Sequence, residues 1–444
     1  MPRRNLTIIF VAAFLSLICY GAASRNRFMR LFGESLDIIS YEYVRPIDDE
    51  TLFNSAMNGM TMELDQNSTY IPPVEFTDFR EELDQEFGGI GIHVMFDEKK
   101  NQMMVVTPVS GTPAYQAGVQ AGDVILAIDG QKVEDFGFEK SVQRLRGVIG
   151  TKVTLQVLHI GQTKPVDIVV ERAQIQVASV LGDTHDGEGN WNFFLEEDPR
   201  IGYIRIESFG DLTADEFQIA WESIDGKVDG LIVDLRNNAG GYLTAAEEIC
   251  DMFLDAGVIV STRGRNGRIE EVSEASPAGT IIPKDLPVAV LVNQYSASAS
   301  EIVAACLQDH DRAVIIGQRS YGKGTVQSIF PLDRQQRALK ITTATYWRPS
   351  EQNIHRFPDY GDDDPWGVSP NEGFAIPLTD DELKNMLRSR SFRDVDRSNI
   401  ADQAAIDARE KSDEEIELEG FVDPQLQKAV EYIQSRLKDS VAAR

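Results

Sequence analysis

From about Ile201 onward, short and wholly apolar runs alternate with longer stretches of helical character. Leu231-Ile232-Val233 precedes a helical pattern from Thr244 to Leu254. Val288 to Val292 precedes another, from about Ser298 to Gln308, and Val314-Ile315-Ile316 follows. A strand that is apolar at every position is covered on both faces, and helix-length spacers between such strands act as crossovers. This half of the chain is therefore expected to form a largely parallel α/β sheet.

The sequence upstream follows different rules. Gly88-Gly89-Ile90-Gly91-Ile92 opens a β-rich stretch with short strands at Met103 to Val106 and Val124 to Ile128. Turn signals stand at Gly122-Asp123 and Asp129-Gly130, a helix is expected from Phe138 to Arg146, and Val153 to Leu158 with Val166 to Val170 closes a small module. Before it, Phe53, Ala56, Met57 and Met60 repeat at helical spacing until Pro72-Pro73 breaks the pattern. Beyond Pro377 the chain turns polar and acidic, with Glu414-Glu415-Ile416-Glu417 and a last helical stretch, Pro424 to Leu437, read as an appendage. The expected divisions are 1–24, 25–87, 88–175, 176–377 and 378–444.

The net charge of −28, from 71 acidic against 43 basic residues, repels phosphate backbones and argues against a nucleic-acid partner. Cys19, Cys250 and Cys306 have no metal-ligand spacing, and no two of the five histidines form an H-E-x-x-H pair, so neither metal nor cofactor is expected. Buried thiols or a disulfide remain open for Cys250 and Cys306. Arg3 and Arg4 precede an apolar stretch from Leu6 to Ala23 and small residues at Gly21 to Ser24. That reads as an export signal or, at a little under the ~20 residues that span a bilayer, as a membrane anchor. Either reading puts the remainder outside the cytoplasm, in the periplasm or cell envelope.

Three segments carry candidate chemistry. Asn293 to Glu301 joins an apolar strand to a helix, so Ser298 falls at a helix N-terminus, where free N–H groups favour developing negative charge. The same residues match a capping box, Ser298-x-x-Glu301, in which the serine only caps. Gly317 to Gly324 misses a Walker A motif because Gly324 stands where Ser or Thr is needed and Thr325 to Pro331 reads as strand. A lysine between two glycines, Lys323, has another use: partial burial disfavours the charged amine, and a neutral amine is a base. A surface lysine is the plain alternative. Asp234 to Tyr242 follows a strand and holds Gly240-Gly241, whose backbone can approach a substrate closely or simply make a tight turn.

Together these segments resemble the C-terminal (tail-specific) processing peptidases, a family of serine proteases. The resemblance runs from about Leu31 to Phe374 and includes Val292 to Ile302, Leu307-Gln308-Asp309, Gly322 to Gln327, Asp234 to Asn237 with Gly240-Gly241, and Gly88 to Ile92. It implies a multidomain α+β protein: a PDZ-like β module plus a crotonase/ClpP-like α/β protease core, with helical N- and C-terminal segments. It implies a serine endopeptidase with Ser298 as nucleophile, Lys323 as general base and Gln327 orienting the amine. Ala299 and the Gly240-Gly241 turn would supply the oxyanion hole, with the choice of glycine open. The β module, through Ala117-Gly118 and Gly122 to Gly130, is similar to a PDZ domain, whose loop Gly89, Ile90, Gly91 and Ile92 would capture a substrate's C-terminal carboxylate. Protein substrates with apolar C-termini are the implied partners, and the N-terminal helical segment would mediate self-association. Ala239 stands where the family commonly has proline before the paired glycines. Two rivals are a non-catalytic PDZ-containing binding scaffold and a nucleotide-binding P-loop protein.

Overall fold

The computed structural model describes residues 27–84, 86–97, 101–109, 111–395 and 421–442, together with positions 10, 13, 14 and 16. Apart from those positions, the expected signal or anchor lies outside the described residues, as does the acidic run at Glu414 to Glu417. Among the described residues no helix is long and apolar enough to cross a membrane. The chain divides into two compact units, residues 1–76 with 327–342, and residues 77–326 with 343–444.

In the first unit, helix α1 (Arg27–Glu42) has no buried residue, whereas α2 (Asp49–Met62) buries Met57 and Thr61. Asp48 starts α2 by accepting the Thr51 N–H at 3.1 Å, which satisfies one of the donors left free at a helix start. Strand β1 (Thr69–Ile71) pairs antiparallel with residues 338–340. Phe53 of α2 meets Tyr70 of β1 edge-on, and Arg337 reaches Glu50 at 3.0 Å.

In the second unit, the PDZ-like module is an antiparallel sheet of β2 (Ile92–Asp97), β3 (Gln102–Pro108), β4 (Val124–Ile128), β5 (Lys152–Leu158) and β6 (Val166–Glu171), adjacent in that order. Helix α3 (Gly137–Leu145) completes it. The period of two that marked its strands is the burial pattern itself: Val153, Leu155 and Val157 of β5 point inward while Lys152, Thr154 and Gln156 do not. These residues join Met103, Val105, Ile125 and Ile128 in a core separate from the rest of the unit.

The second sheet runs β7 (Val180–Leu181), β8 (Ile201–Ile206), β9 (Gly230–Asp234), β10 (Val288–Val292) and β11 (Val314–Gly317). β8 to β11 are parallel and every residue in them is buried, as the apolar runs required. Helices α4 (Thr213–Ile224), α5 (Leu243–Phe253) and α6 (Ala299–Asp309) pack on one face.

The other face is covered by α7 (Pro424–Ala442), which places Ala429 and Ile433 on Tyr203, Ile232, Ala289 and Leu291. The helix read as an appendage is thus a layer of the core. Leu426, Ala429, Val430, Ile433 and Leu437 form its apolar stripe, which the acidic surroundings had masked. Its start is anchored by the Arg236 guanidinium, which donates to Asp423 at 2.7 Å and Gln425 at 3.1 Å while holding Asp234 at 2.6 Å. Asp423→Ala removes a part-buried charge-assisted bond together with the bonds that Asp423 Oδ1 accepts from the Gln425 and Leu426 N–H groups, and should lower stability by about 2 kcal/mol or more, read as a lower urea midpoint at unchanged slope.

Candidate active site

β9, β10 and β11 are parallel neighbours, so the loops that follow them emerge side by side at one sheet edge. In open parallel sheets that edge is where ligands bind. The three motif segments, 235–242, 293–298 and 318–324, are those loops.

The first two are stapled together. Asn293 Oδ1 accepts the Asn237 N–H at 2.9 Å and its Nδ2 donates to Asn237 Oδ1 at 3.0 Å. Ser296 Oγ donates to the Leu235 carbonyl at 2.8 Å, and Ser300 Oγ donates to the Asn238 carbonyl at 3.0 Å. Gly240, at φ +101°, lies so close to the head of α6 that an added Cβ would sit 2.7 Å from Ser298 Cβ. At Gly241, φ +150°, a Cβ would collide with the Phe209 carbonyl. Both glycines are therefore demanded by close approach. The Gly240 N–H is taken by Asn238 Oδ1 at 2.8 Å. The N–H groups of Gly241 and of Ala299, the first residue of α6, have no partner among the described residues.

Ser298 has φ +56° and ψ −115°, a conformation that costs a serine on the order of 1–3 kcal/mol and persists only where its surroundings impose it. Glu301 is what imposes it. Its carboxylate is fully buried and accepts four hydrogen bonds. One oxygen takes the N–H groups of Ser298 at 2.9 Å and Lys323 at 2.8 Å. The other takes Ser320 Oγ at 2.6 Å and the Gly322 N–H at 2.7 Å. Burial pushes the Glu301 carboxyl above its usual range, and its four donors pull the other way. The backbone nitrogens of the candidate nucleophile and base thus share one acceptor atom. The capping-box pattern had signalled Glu301, but only as a local partner of Ser298.

Lys323 is half-buried in its loop. Gly322, at φ +84°, would bring a Cβ within 2.9 Å of Arg356 and Trp366, and a Cβ at Gly324 would strike the His355 backbone. The strand Thr325–Leu332 follows directly, so the helix that a P-loop needs is absent at this place. Gln327 opens the segment that belongs to the first unit, where its Nε2 donates to Thr342 Oγ1 at 3.3 Å.

Tyr346 was not singled out by the sequence. Its hydroxyl meets the Ser298 side chain, and burial pushes its pKa up to about 12, so it stays a protonated donor at neutral pH. Its backbone N–H donates to the Gly324 carbonyl at 2.8 Å, which ties this strand to the lysine loop.

In the PDZ-like module, Gly89 pairs with Ala173 and Ile92 begins β2. Between them, the carbonyl of buried Ile90 accepts the Ala114 N–H at 2.9 Å, and that of Gly91 accepts the Val109 N–H at 3.0 Å. The Ile90 and Gly91 N–H groups have no partner among the described residues. Cys250 and Cys306 are free buried thiols in hydrogen-bond contact, and burial pushes the Cys250 thiol up. Among the described residues no group of His, Cys, Asp and Glu is arranged to hold a metal ion.

Residues 200–370 match peptidase family S41, and residues 88–170 match the PDZ domain. The chain belongs to family S41: it is a serine-type peptidase with a PDZ domain beside its protease core. Its place there is among the carboxy-terminal-processing proteases. The carboxy-terminal-processing protease of Bartonella bacilliformis is 36% identical over 399 residues, covering 87% of this chain and 88% of that protein. The carboxyl-terminal-processing protease of Synechocystis sp. is 33% identical over 347 residues, covering 77% and 75%. The carboxy-terminal processing protease CtpA of Bacillus subtilis is 31% identical over 353 residues, covering 78% and 71%.

Proposed function

We propose that this peptidase works through a Ser298–Lys323 dyad on proteins whose C-terminal tails its PDZ domain captures. Ser298 Oγ attacks the scissile carbonyl while its proton passes to the neutral Lys323 amine. The oxyanion forms against the Gly241 and Ala299 N–H groups, since Gly240 spends its N–H on Asn238. The Lys323 ammonium then protonates the departing amine, leaving an acyl ester on Ser298. Water attacks that ester, Lys323 takes its proton, and Ser298 leaves with a proton restored from Lys323. Gln327 orients the lysine amine in this scheme, and the Ile90 and Gly91 N–H groups receive the tail carboxylate as an edge-added peptide would require. The basic, apolar and small-residue order of the N-terminus places the enzyme outside the cytoplasm, exported or anchored to the membrane.

The observation that carries this reading is the Glu301 oxygen shared by the Ser298 and Lys323 N–H groups. The test is incubation with a folded protein bearing an apolar C-terminal tag, wild type beside Ser298→Ala, with product masses read. Wild type should yield fragments and the variant none. Amidating the tag's carboxylate should slow wild type at subsaturating substrate. Cleavage that survives in Ser298→Ala overturns the nucleophile, and indifference to amidation overturns the capture of tails.

A further inference from the structure

Beside the dyad lies a cleft of about 380 Å³, lined by Asn237, Ala239, Tyr295, Ala297 and Tyr321. Each lining residue stands a few positions before a residue of the proposed machinery: Asn237 and Ala239 before Gly241, Tyr295 and Ala297 before Ser298, and Tyr321 before Lys323. The cleft is therefore formed by the same three loops, and at Gly240 an added Cβ would lie 2.7 Å from Ser298 Cβ and 2.8 Å from the Ala297 carbonyl, so two of those loops touch at the nucleophile.

Its chemistry is apolar. Two alanine methyls and two tyrosine rings make most of the wall, and no lining residue carries a charge. Its polar side-chain groups are the two tyrosine hydroxyls and the Asn237 amide, whose Oδ1 accepts from Asn293 Nδ2 at 3.0 Å. Three backbone N–H groups of the lining are bonded: that of Tyr295 to Asn293 Oδ1 at 3.1 Å, that of Ala297 to the Asn238 carbonyl at 3.0 Å, and that of Tyr321 to the Ser296 carbonyl at 2.9 Å. These bonds fix the walls, so the cleft exists before any substrate arrives. Yet Tyr295 and Tyr321 remain 50% and 51% exposed, which leaves aromatic surface beside the nucleophile uncovered. Covering it releases about 25 cal/mol per Å². The volume lies near the lower end of the ~300–1,000 Å³ typical of ligand pockets, enough for one large side chain with its flanking backbone.

We propose that this cleft is the specificity pocket for the residue whose carbonyl Ser298 attacks, and that it selects a bulky apolar side chain such as leucine or phenylalanine. This rests on the dyad reading above. The full-length enzyme selects substrates twice: once by the tail, once by the residue that fills this cleft. A charged side chain would be desolvated there without a partner, and a small one would leave the tyrosines wet.

The test is a set of peptides alike in tail and sequence except for alanine, leucine, phenylalanine, glutamate or lysine before the cleaved bond, with the bond located by product mass. For wild type, kcat/KM for leucine and phenylalanine should exceed that for alanine by about 10–200-fold, the range that apolar pockets achieve, and charged residues should fall below alanine. Ala239→Leu fills the cleft and should cut the leucine-to-alanine ratio at least about tenfold. Tyr321→Ala, a change at an exposed side chain, should shrink the same ratio by removing a wall, and it decides the matter if Ala239→Leu does not fold. A ratio unmoved in Tyr321→Ala, a flat wild-type profile, or a preference that follows the residue after the bond instead would each overturn the pocket. In those cases Ser298-dependent cleavage persists and the dyad stands. Absence of Ser298-dependent cleavage for every peptide sinks the dyad itself.

Discussion

Lys323→Ala should lower kcat by about 10⁴-fold or more with little change in KM, and the double variant with Ser298→Ala should be no slower than either single one. The reason is that nucleophile and base perform a single event. A serine hydroxyl without a proton acceptor is a poor nucleophile, and an amine without the hydroxyl has nothing to activate, so the losses overlap instead of multiplying. What survives is the contribution of parts that neither substitution touches: the donors at Gly241 and Ala299 and the binding of the peptide, which in comparable sites leave roughly 10³–10⁴-fold over water. Both variants should stay folded at the assay temperature, because the Lys323 and Ser298 bonds to Glu301 are made by backbone N–H groups that alanine retains. Steady-state kinetics on a tail-bearing peptide gives the answer. Losses that multiply in the double variant would mean that Lys323 acts in some step other than activating Ser298.

The sequence displayed what depends on order along the chain. Residues 231–233, 288–292 and 314–316 are apolar at every position because both faces of their sheet are covered, and that sufficed to expect a largely parallel sheet. Gly240, Gly241, Gly322 and Gly324 were conspicuous because a turn that touches other backbone admits little else. Partners distant in sequence left no such trace. Glu301 was visible as a cap but not as the acceptor for Ser320, Gly322 and Lys323, since nothing local to it says which loop will arrive from above. Tyr346 sits one residue before the end of a long strand whose alternation explains it without reference to Ser298. Helix α7 looked peripheral because an acidic stretch separates it from the sheet it covers, and Arg236 meets Asp423 only once the chain has folded back. Periodicity reports which face of an element is buried. It is silent on what buries it.

Glu301→Ala should lower kcat by about 10²–10³-fold in molecules that are still folded, and Glu301→Gln should recover most of that loss. In the alanine variant four donors, three of them buried, lose their acceptor, and each buried one costs about 1–3 kcal/mol unless the loops move to find water or another oxygen. Moving is the expected response, and the two loops released are those of Ser298 and Lys323. A displacement of about 1 Å between reacting groups is enough for ~10²-fold. The glutamine variant is gentler for a specific reason. Its carboxamide can turn its oxygen toward the Ser298 and Lys323 N–H groups and its NH₂ toward Ser320, whose oxygen then accepts from it as well as from the Val368 N–H, so that the Gly322 N–H and the Ser320 hydroxyl proton are stranded. The nucleophile and base loops then keep their common acceptor, while stability falls through Gly322 and Ser320. Kinetics run well below each variant's melting temperature separates the two effects. If Glu301 were only a helix cap, both variants would melt earlier and both would retain wild-type kcat in the folded fraction. If its charge were needed on the reacting atoms, glutamine would be as inactive as alanine. A shared anchor for two loops predicts the third pattern, in which stability is lost in both variants and kcat is lost chiefly in one.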